Sequence, residues 1–167
     1  YGGFLGASLC LAIMARLRRE PLWSLADFAV TGLPLGHAIG RIGCFINGCC
    51  FGTPTNFFTG YKYPEGSAPA EFYPGCALHP TQLYETFFNL LIYGLLCWYY
   101  PRKCKNGAVF ALYLVTYPVG RFLIEFLRGD ERLKWMGLNA AQELSIVLFI
   151  AGLLLWALLP NKRNAAP

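Results

Sequence analysis

The stretch SIVLFIAGLLLWALLP, residues 145–160, carries no charge, and it decides what solvent this chain folds in. Thr86 to Tyr100 and Gly107 to Gly120 are equally free of charge. Each approaches the roughly 20 residues needed to cross hydrocarbon once a few polar flanking residues are allowed. Gly2 to Ala15 and Leu22 to Gly40 are weaker candidates, the second interrupted by Asp27 and Pro34. The reading is an all-α, polytopic membrane helix bundle: one transmembrane domain over residues 1–167, with about five spans near 2–16, 22–40, 79–100, 107–127 and 138–160. Composition points the same way, since 56% hydrophobic and 16% aromatic residues against 14% charged is too apolar for a soluble domain of this length.

The chain opens at Tyr1 without a Met and runs straight into an apolar segment, so it reads as an N-terminally truncated fragment. It shows neither the charged leader nor the cleavage site of a signal peptide. The net charge of +5 does not imply a nucleic-acid partner, because the basic residues stand in short clusters between apolar segments. Such clusters orient a membrane protein, with positive charge on the cytoplasmic side. Arg16, Arg18 and Arg19, then Arg102, Lys103 and Lys105, then Lys162 and Arg163 fall on one side of a five-span chain. Tyr1 then faces outward and Pro167 inward. Trp98, Tyr99, Tyr100 and Trp135 stand where interfacial aromatic belts are expected.

The outward segment over about 44–77 is rich in Gly, Pro, Thr, Asn and Tyr and sustains no helical period, so it reads as a small irregular extracytoplasmic cap. Cys44, Cys49, Cys50 and Cys76 lie in it, and on an oxidising face disulfides among them are permitted. Their spacing is not the Cys-x-x-Cys of zinc-ribbon or thioredoxin-like sites, so a structural disulfide or inert thiols is the expected role and no metal is assigned. Cys10, Cys97 and Cys104 fall in spans or on the inner side and read as free thiols.

Charge inside a span costs roughly 2.5 to 3.5 kcal/mol on the insertion scale and needs a reason. Tyr117, Arg121, Glu125 and Arg128 recur at three and four residues and form one helical stripe. Pro118 within it can free a backbone carbonyl, as in spans that line cavities. A structural ion pair between helices is the plain alternative, but two arginines against one acid leave a surplus positive charge that suits an anion. A second stripe, Gln82, Glu85 and Asn89 with His79 and Tyr84, opens the third span; His79 reads equally as a satisfied interfacial histidine or a catalytic one. The third feature is GLPLGHAIGRIGCFINGCCFG, residues 32–52. Gly32, Gly36 and Gly40 make a groove for close backbone approach. Arg41 stands beside a turn through Gly43, Gly48 and Gly52 whose exposed amides would cradle phosphate or carboxylate.

Five pieces, YGGFLGA, GHAIGRIGCFINGCCFG, ALHPTQLYE, YPVGRFLIEFLRGDER and LNAAQELS, stand in an order and spacing that resembles the prolipoprotein diacylglyceryl transferase family, from Tyr1 to about Leu159. The resemblance implies transfer of a diacylglyceryl group from phosphatidylglycerol to the lipobox cysteine of a prolipoprotein signal peptide, forming a thioether and releasing glycerol phosphate. It implies a bacterial inner-membrane, multi-pass enzyme working towards the outer leaflet on membrane lipid, without cofactor. The family's signature arginine falls on Arg41, followed by Gly43, Asn47 and Gly52; its second essential arginine falls on Arg121, with Tyr117 and Glu125 beside it. The third-span motif falls on His79, Pro80, Gln82, Tyr84 and Glu85. There are departures: Cys44 stands in place of an asparagine, Cys49 in place of a glutamate, and Tyr1 where many members have a histidine that has been proposed as the base.

On this reading Arg41 and Arg121 bind the headgroup, because a guanidinium grips phosphate oxygens bidentately and keeps its proton. Glu125 orients Arg121. His79, then Tyr1, then Tyr117 are the candidate acceptors of the thiol proton by intrinsic basicity. Tyr1, Gly43, Asn47, Gly52, Gln82, Tyr84, Glu85 and Arg128 complete the substrate site. A small transporter or channel subunit is the rival, and it requires a continuous polar lining across the membrane. A membrane thiol oxidoreductase is a third reading and requires a redox-paired cysteine couple.

Overall fold

The structure, a computed structural model, describes residues 2–129, 134–135 and 137–159, with the backbone alone described at 2–5 and 134–135. The long helices are α1 (Gly2–Arg18), α2 (Leu22–Ile46), α4 (Thr81–Tyr99), α5 (Ala108–Glu125) and α6 (Ala140–Leu158). A short α3 (Ala68–Phe72) sits in the segment between α2 and α4, and a two-residue ladder pairs β1 (Lys134–Trp135) antiparallel with β2 (Leu138–Asn139). Among the described residues, three helices, α2, α5 and α6, are long and apolar enough to cross a membrane. α1 stops at 17 residues, and α4 gives its first turns to Gln82, Glu85 and Asn89.

Burial is inverted relative to a water-soluble protein. Asp27, Thr81 and Gln82 are essentially inaccessible, while Phe28, Ile39, Phe87, Leu123 and Leu154 are exposed. Apolar side chains face outward where the solvent is hydrocarbon, and polar ones turn inward to find partners.

α2, α4 and α5 enclose an apolar cluster of Val30, Ile92, Leu96, Val109 and Tyr113. Below it, buried Asp27 of α2 accepts from the backbone N-H of Gly107 at 2.8 Å and of Phe110 at 2.9 Å, and pairs with Lys103 at 2.7 Å. These amides are orphan donors of the first turn of α5, so one helix caps another. The interruption that Asp27 makes in an apolar run is thus a tertiary cap.

Two glycines set helix spacing. A Cβ on Gly120 of α5 would enter the ring of Phe88 on α4, and one on Gly152 of α6 would press on the backbone of Leu114 on α5. Leu114 is also the residue whose carbonyl loses its helical donor to Pro118. The expected groove of Gly32, Gly36 and Gly40 has nothing within 4 Å of a Cβ at any of the three, so no described element is seated there.

Candidate functional site

α2 runs six residues past the expected end at Gly40, through Arg41 and Gly43 to Ile46. Gly43 is therefore helical, its amide lies within the helix ladder, and the expected amide cradle beginning at Gly43 does not form. The helix continues because the chain through Phe45 and Ile46 stays helix-competent, and only Gly48, at φ +69°, turns it.

What the fold does assemble is a buried charge cluster at the loop end of α2, α4 and α5. Arg41 Nε lies 2.7 Å from Glu85 Oε2, and Arg121 Nη1 lies 3.0 Å from Glu85 Oε1. Arg121 Nη2 reaches Glu125 Oε2 at 2.7 Å, one helical turn on. Arg128 stands 3.8 Å from Glu85 and 3.9 Å from Glu125. Three guanidiniums against two carboxylates leave the surplus positive charge that the sequence implies. Arg41 is the most accessible of the three, with 21% of its side chain open.

Other residues hold this cluster. Asn139 caps α6, accepting from the N-H of Gln142, and its amide donates to Glu125 Oε1 at 2.9 Å. The start of α6 thereby fixes the carboxylate that fixes Arg121. Asn139 with Gln142 three residues on is a capping box, a signal readable in sequence. His37, four residues before Arg41, stacks on Tyr117 with ring centroids 5.3 Å apart, and Tyr117 stacks on Tyr113. The same helical spacing from Arg41 would have singled out His37.

The remaining expected site residues divide. Gln82 donates to the carbonyl of Cys49 at 2.7 Å and accepts from Tyr63 at 3.2 Å, so it ties the loop to α4. Thr81 donates to the carbonyl of Cys50 at 2.8 Å. His79 Nδ1 is 3.2 Å from the Tyr84 hydroxyl, which also meets Thr59. Gly52 is squeezed between His79 and Leu127, and Gly129 against Gly52, so these glycines stitch the loop to the end of α5. Its N-H bonds the His79 carbonyl, Thr53 bonds Leu127, and Gly129 bonds Phe51. Asn47 closes α2, its N-H on Gly43. Asn89 donates to the Glu85 carbonyl. Tyr1 lies outside the described residues, as do the charges at 130–132.

All seven cysteines are free thiols. Cys44, Cys49 and Cys50 converge, their sulfurs within 4.8 Å of one another, while Cys76 is exposed. Burial raises the Cys49 thiol above its ordinary value. Burial acts the same way on Cys50, but the hydrogen bond and charge of Arg128, with Arg41 behind it, outweigh that and hold this thiol below the ordinary value.

A continuous polar path is missing among the described residues, since the apolar cluster around Val30 and Val109 separates Asp27 and Lys103 from the arginines. The transporter reading loses its requirement. A cavity of about 490 Å³ lies in the loop segment, lined by Lys62, Glu65, Glu71 and Tyr73 among others, and no arginine faces it.

The model of the family described as prolipoprotein diacylglyceryl transferase matches residues 1–158. A phosphatidylglycerol--prolipoprotein diacylglyceryl transferase of Clostridium tetani (strain Massachusetts / E88) is 35% identical over 154 residues, covering 92% of this chain and 60% of that protein. Its counterpart in Symbiobacterium thermophilum is 40% identical over 157 residues, covering 94% and 59%. One from Geobacillus kaustophilus (strain HTA426) is 37% identical over 158 residues, covering 93% and 58%. The chain spans about three fifths of the length of these curated relatives.

Proposed function

The chain belongs to the prolipoprotein diacylglyceryl transferase family, and from that premise we propose that it carries the headgroup-binding part of an enzyme that moves a diacylglyceryl group from phosphatidylglycerol to a lipobox cysteine. The observation that carries the reading is the pair of guanidiniums from separate helices meeting on Glu85. Their surplus charge and partial access suit a phosphate diester that brings its own negative charge.

In the reaction the cysteine sulfur, as thiolate, forms a bond to the carbon of the diacylglyceryl group that carries the phosphate. The C-O bond breaks, its electron pair stays with the phosphate, and glycerol phosphate leaves with an added negative charge. Arg41 and Arg121 stabilise that charge as it develops, in a mostly buried cluster where water screens it less than in bulk. Glu125, held by Asn139, keeps Arg121 in place. The thiol proton needs an acceptor within the cluster. His37 takes that role in this proposal ahead of His79, because it lies on the Arg41 face of α2 and against Tyr117, whereas His79 is engaged with Tyr84. Tyr117 positions the imidazole by stacking.

The domain is a single transmembrane unit with about five spans in the inner membrane and the arginine cluster under the outer leaflet. Its support is the basic ends of α1 and of the turn after α4, which lie opposite the cluster. The test is lipid attachment to a lipobox peptide by the full-length protein in a strain lacking the transferase. Transfer is expected from the unaltered protein and not from Arg121→Ala or Arg41→Ala; undiminished transfer by both variants overturns the assignment.

A further inference from the structure

We propose that Cys44, Cys49 and Cys50 form a binding site for a thiophilic d10 cation, of which zinc(II) is the type, at the C-terminal end of α2.

All three sulfurs lie within 4.8 Å of one another. Zinc with sulfur at about 2.3 Å in tetrahedral arrangement places its sulfurs about 3.8 Å apart. Closing the trio therefore takes no more than about 1 Å of movement, which small turns of the thiol side chains supply. Three converging thiols also match the ligand set of an open zinc site, with a fourth position left to solvent.

The scaffold under these sulfurs is fixed on both sides. Cys44 belongs to the last turns of α2. Cys49 and Cys50 are held by their carbonyls, on which buried Gln82 and Thr81 of α4 donate. The chain reaches that position through two left-handed residues, Gly48 at φ +69° and Cys50 at φ +64°. A non-glycine residue adopts that region rarely and persists there only where its surroundings fix it. Here the surroundings hold three sulfurs within 4.8 Å of one another.

Three thiolates around a divalent cation leave one net negative charge. Arg128 donates to the Cys50 sulfur and Arg41 lies behind it, so compensating cations are in place. A disulfide explains the arrangement less well. Adjacent Cys49 and Cys50 have Cα atoms about 3.8 Å apart, below the usual disulfide range of about 4.4–6.8 Å. A bridge from Cys44 to either one leaves the third sulfur without a purpose. The Cys-x4-Cys-Cys order is not a spacing that announces zinc; the site is made by the backward fold of the loop.

The experiment uses the full-length protein in detergent, reduced and free of chelator, loaded with zinc(II) and passed through a desalting column. One equivalent of zinc is expected to remain, with affinity at least about tenfold lower in Cys49→Ser and in Cys50→Ser and unchanged in Cys76→Ser. Because a serine variant can misfold, the unaltered protein is also alkylated with and without zinc(II) and digested. Zinc is expected to protect Cys44, Cys49 and Cys50 and to leave Cys76 reactive. Equal alkylation of the trio with and without zinc, or equal zinc retention by wild type and both loop variants, overturns the proposal. Neither readout depends on transferase activity, so the site stands or falls apart from the proposed function.

Discussion

Arg41 and Arg121 hold the two oxygens of one carboxylate, that of Glu85, at 2.7 and 3.0 Å, although they come from α2 and α5 and the carboxylate from α4. Arg121 also reaches Glu125 with its other terminal nitrogen. A lysine has the charge but a single nitrogen, and it cannot span both carboxylates. Arg121→Lys is therefore expected to lower lipid transfer by about a hundredfold or more, close to Arg121→Ala. The check is a side-by-side transfer assay at equal amounts of folded protein; a lysine variant retaining a tenth or more of wild-type activity contradicts the bidentate role.

Asp27 stabilises the fold at a distance from chemistry. About 14 residues of helix separate it from Arg41, or about 21 Å along α2. Asp27→Ala leaves Lys103 and the first-turn amides of α5 without their acceptor. Removing one partner of a buried pair costs about 3–5 kcal/mol. A clear drop in detergent melting temperature is expected, with activity per folded molecule retained.

How far sequence reaches can be judged from these two sites. Apolar runs announced the helices, since hydrocarbon tolerates little else. The stripe of Tyr117, Arg121, Glu125 and Arg128 was legible because helical periodicity alone puts those residues on one face. That Glu85 would take both arginines was not legible, because Gln82, Glu85 and Asn89 share a face and only packing shows that Gln82 turns to the loop while Glu85 turns to α2 and α5. The apolar run ends at Gly40 because the charge of Arg41 and a glycine-rich segment follow, yet α2 continues to Ile46, with Arg41 held inside the bundle by Glu85. Gly52 looked like an amide donor to a ligand, and its contacts show a close approach of two backbones.

Gly120 is a spacing residue between α4 and α5. Gly120→Ala drives a methyl into Phe88, and overpacking of this kind costs about 1–3 kcal/mol. The same change in a Phe88→Ala background removes the clash, so the two substitutions are expected to be strongly non-additive. Melting temperatures of the four proteins in the cycle measure it; additive losses exclude the contact.

Two exposed thiols at opposite ends, Cys76 in the segment between α2 and α4 and Cys104 between α4 and α5, offer a test of the proposed orientation. With the arginine cluster under the outer leaflet, an impermeant maleimide added to spheroplasts is expected to label Cys76 and to reach Cys104 only after permeabilisation. The reverse pattern inverts the proposed topology.

His37 and His79 are the rival acceptors of the thiol proton in the proposed reaction, and their surroundings separate them. His37 stacks on Tyr117 and stands one turn before Arg41, which puts its imidazole beside the guanidinium proposed to hold the phosphate. His79 points to Tyr84, and its backbone bonds Gly52 and Thr53, so its replacement disturbs the loop. General-base catalysis contributes about 10²- to 10⁴-fold. His37→Gln is expected to lower the maximal rate by at least about a hundredfold, with the dependence on phosphatidylglycerol concentration little changed because the arginines remain. The loss should be partly recovered when a more alkaline medium ionises the cysteine thiol without help, its ordinary value being about 8.5. His79→Asn is expected to lower melting temperature more than rate. A His37→Gln protein that works at wild-type speed at neutral pH removes that imidazole from the reaction and returns the role to His79.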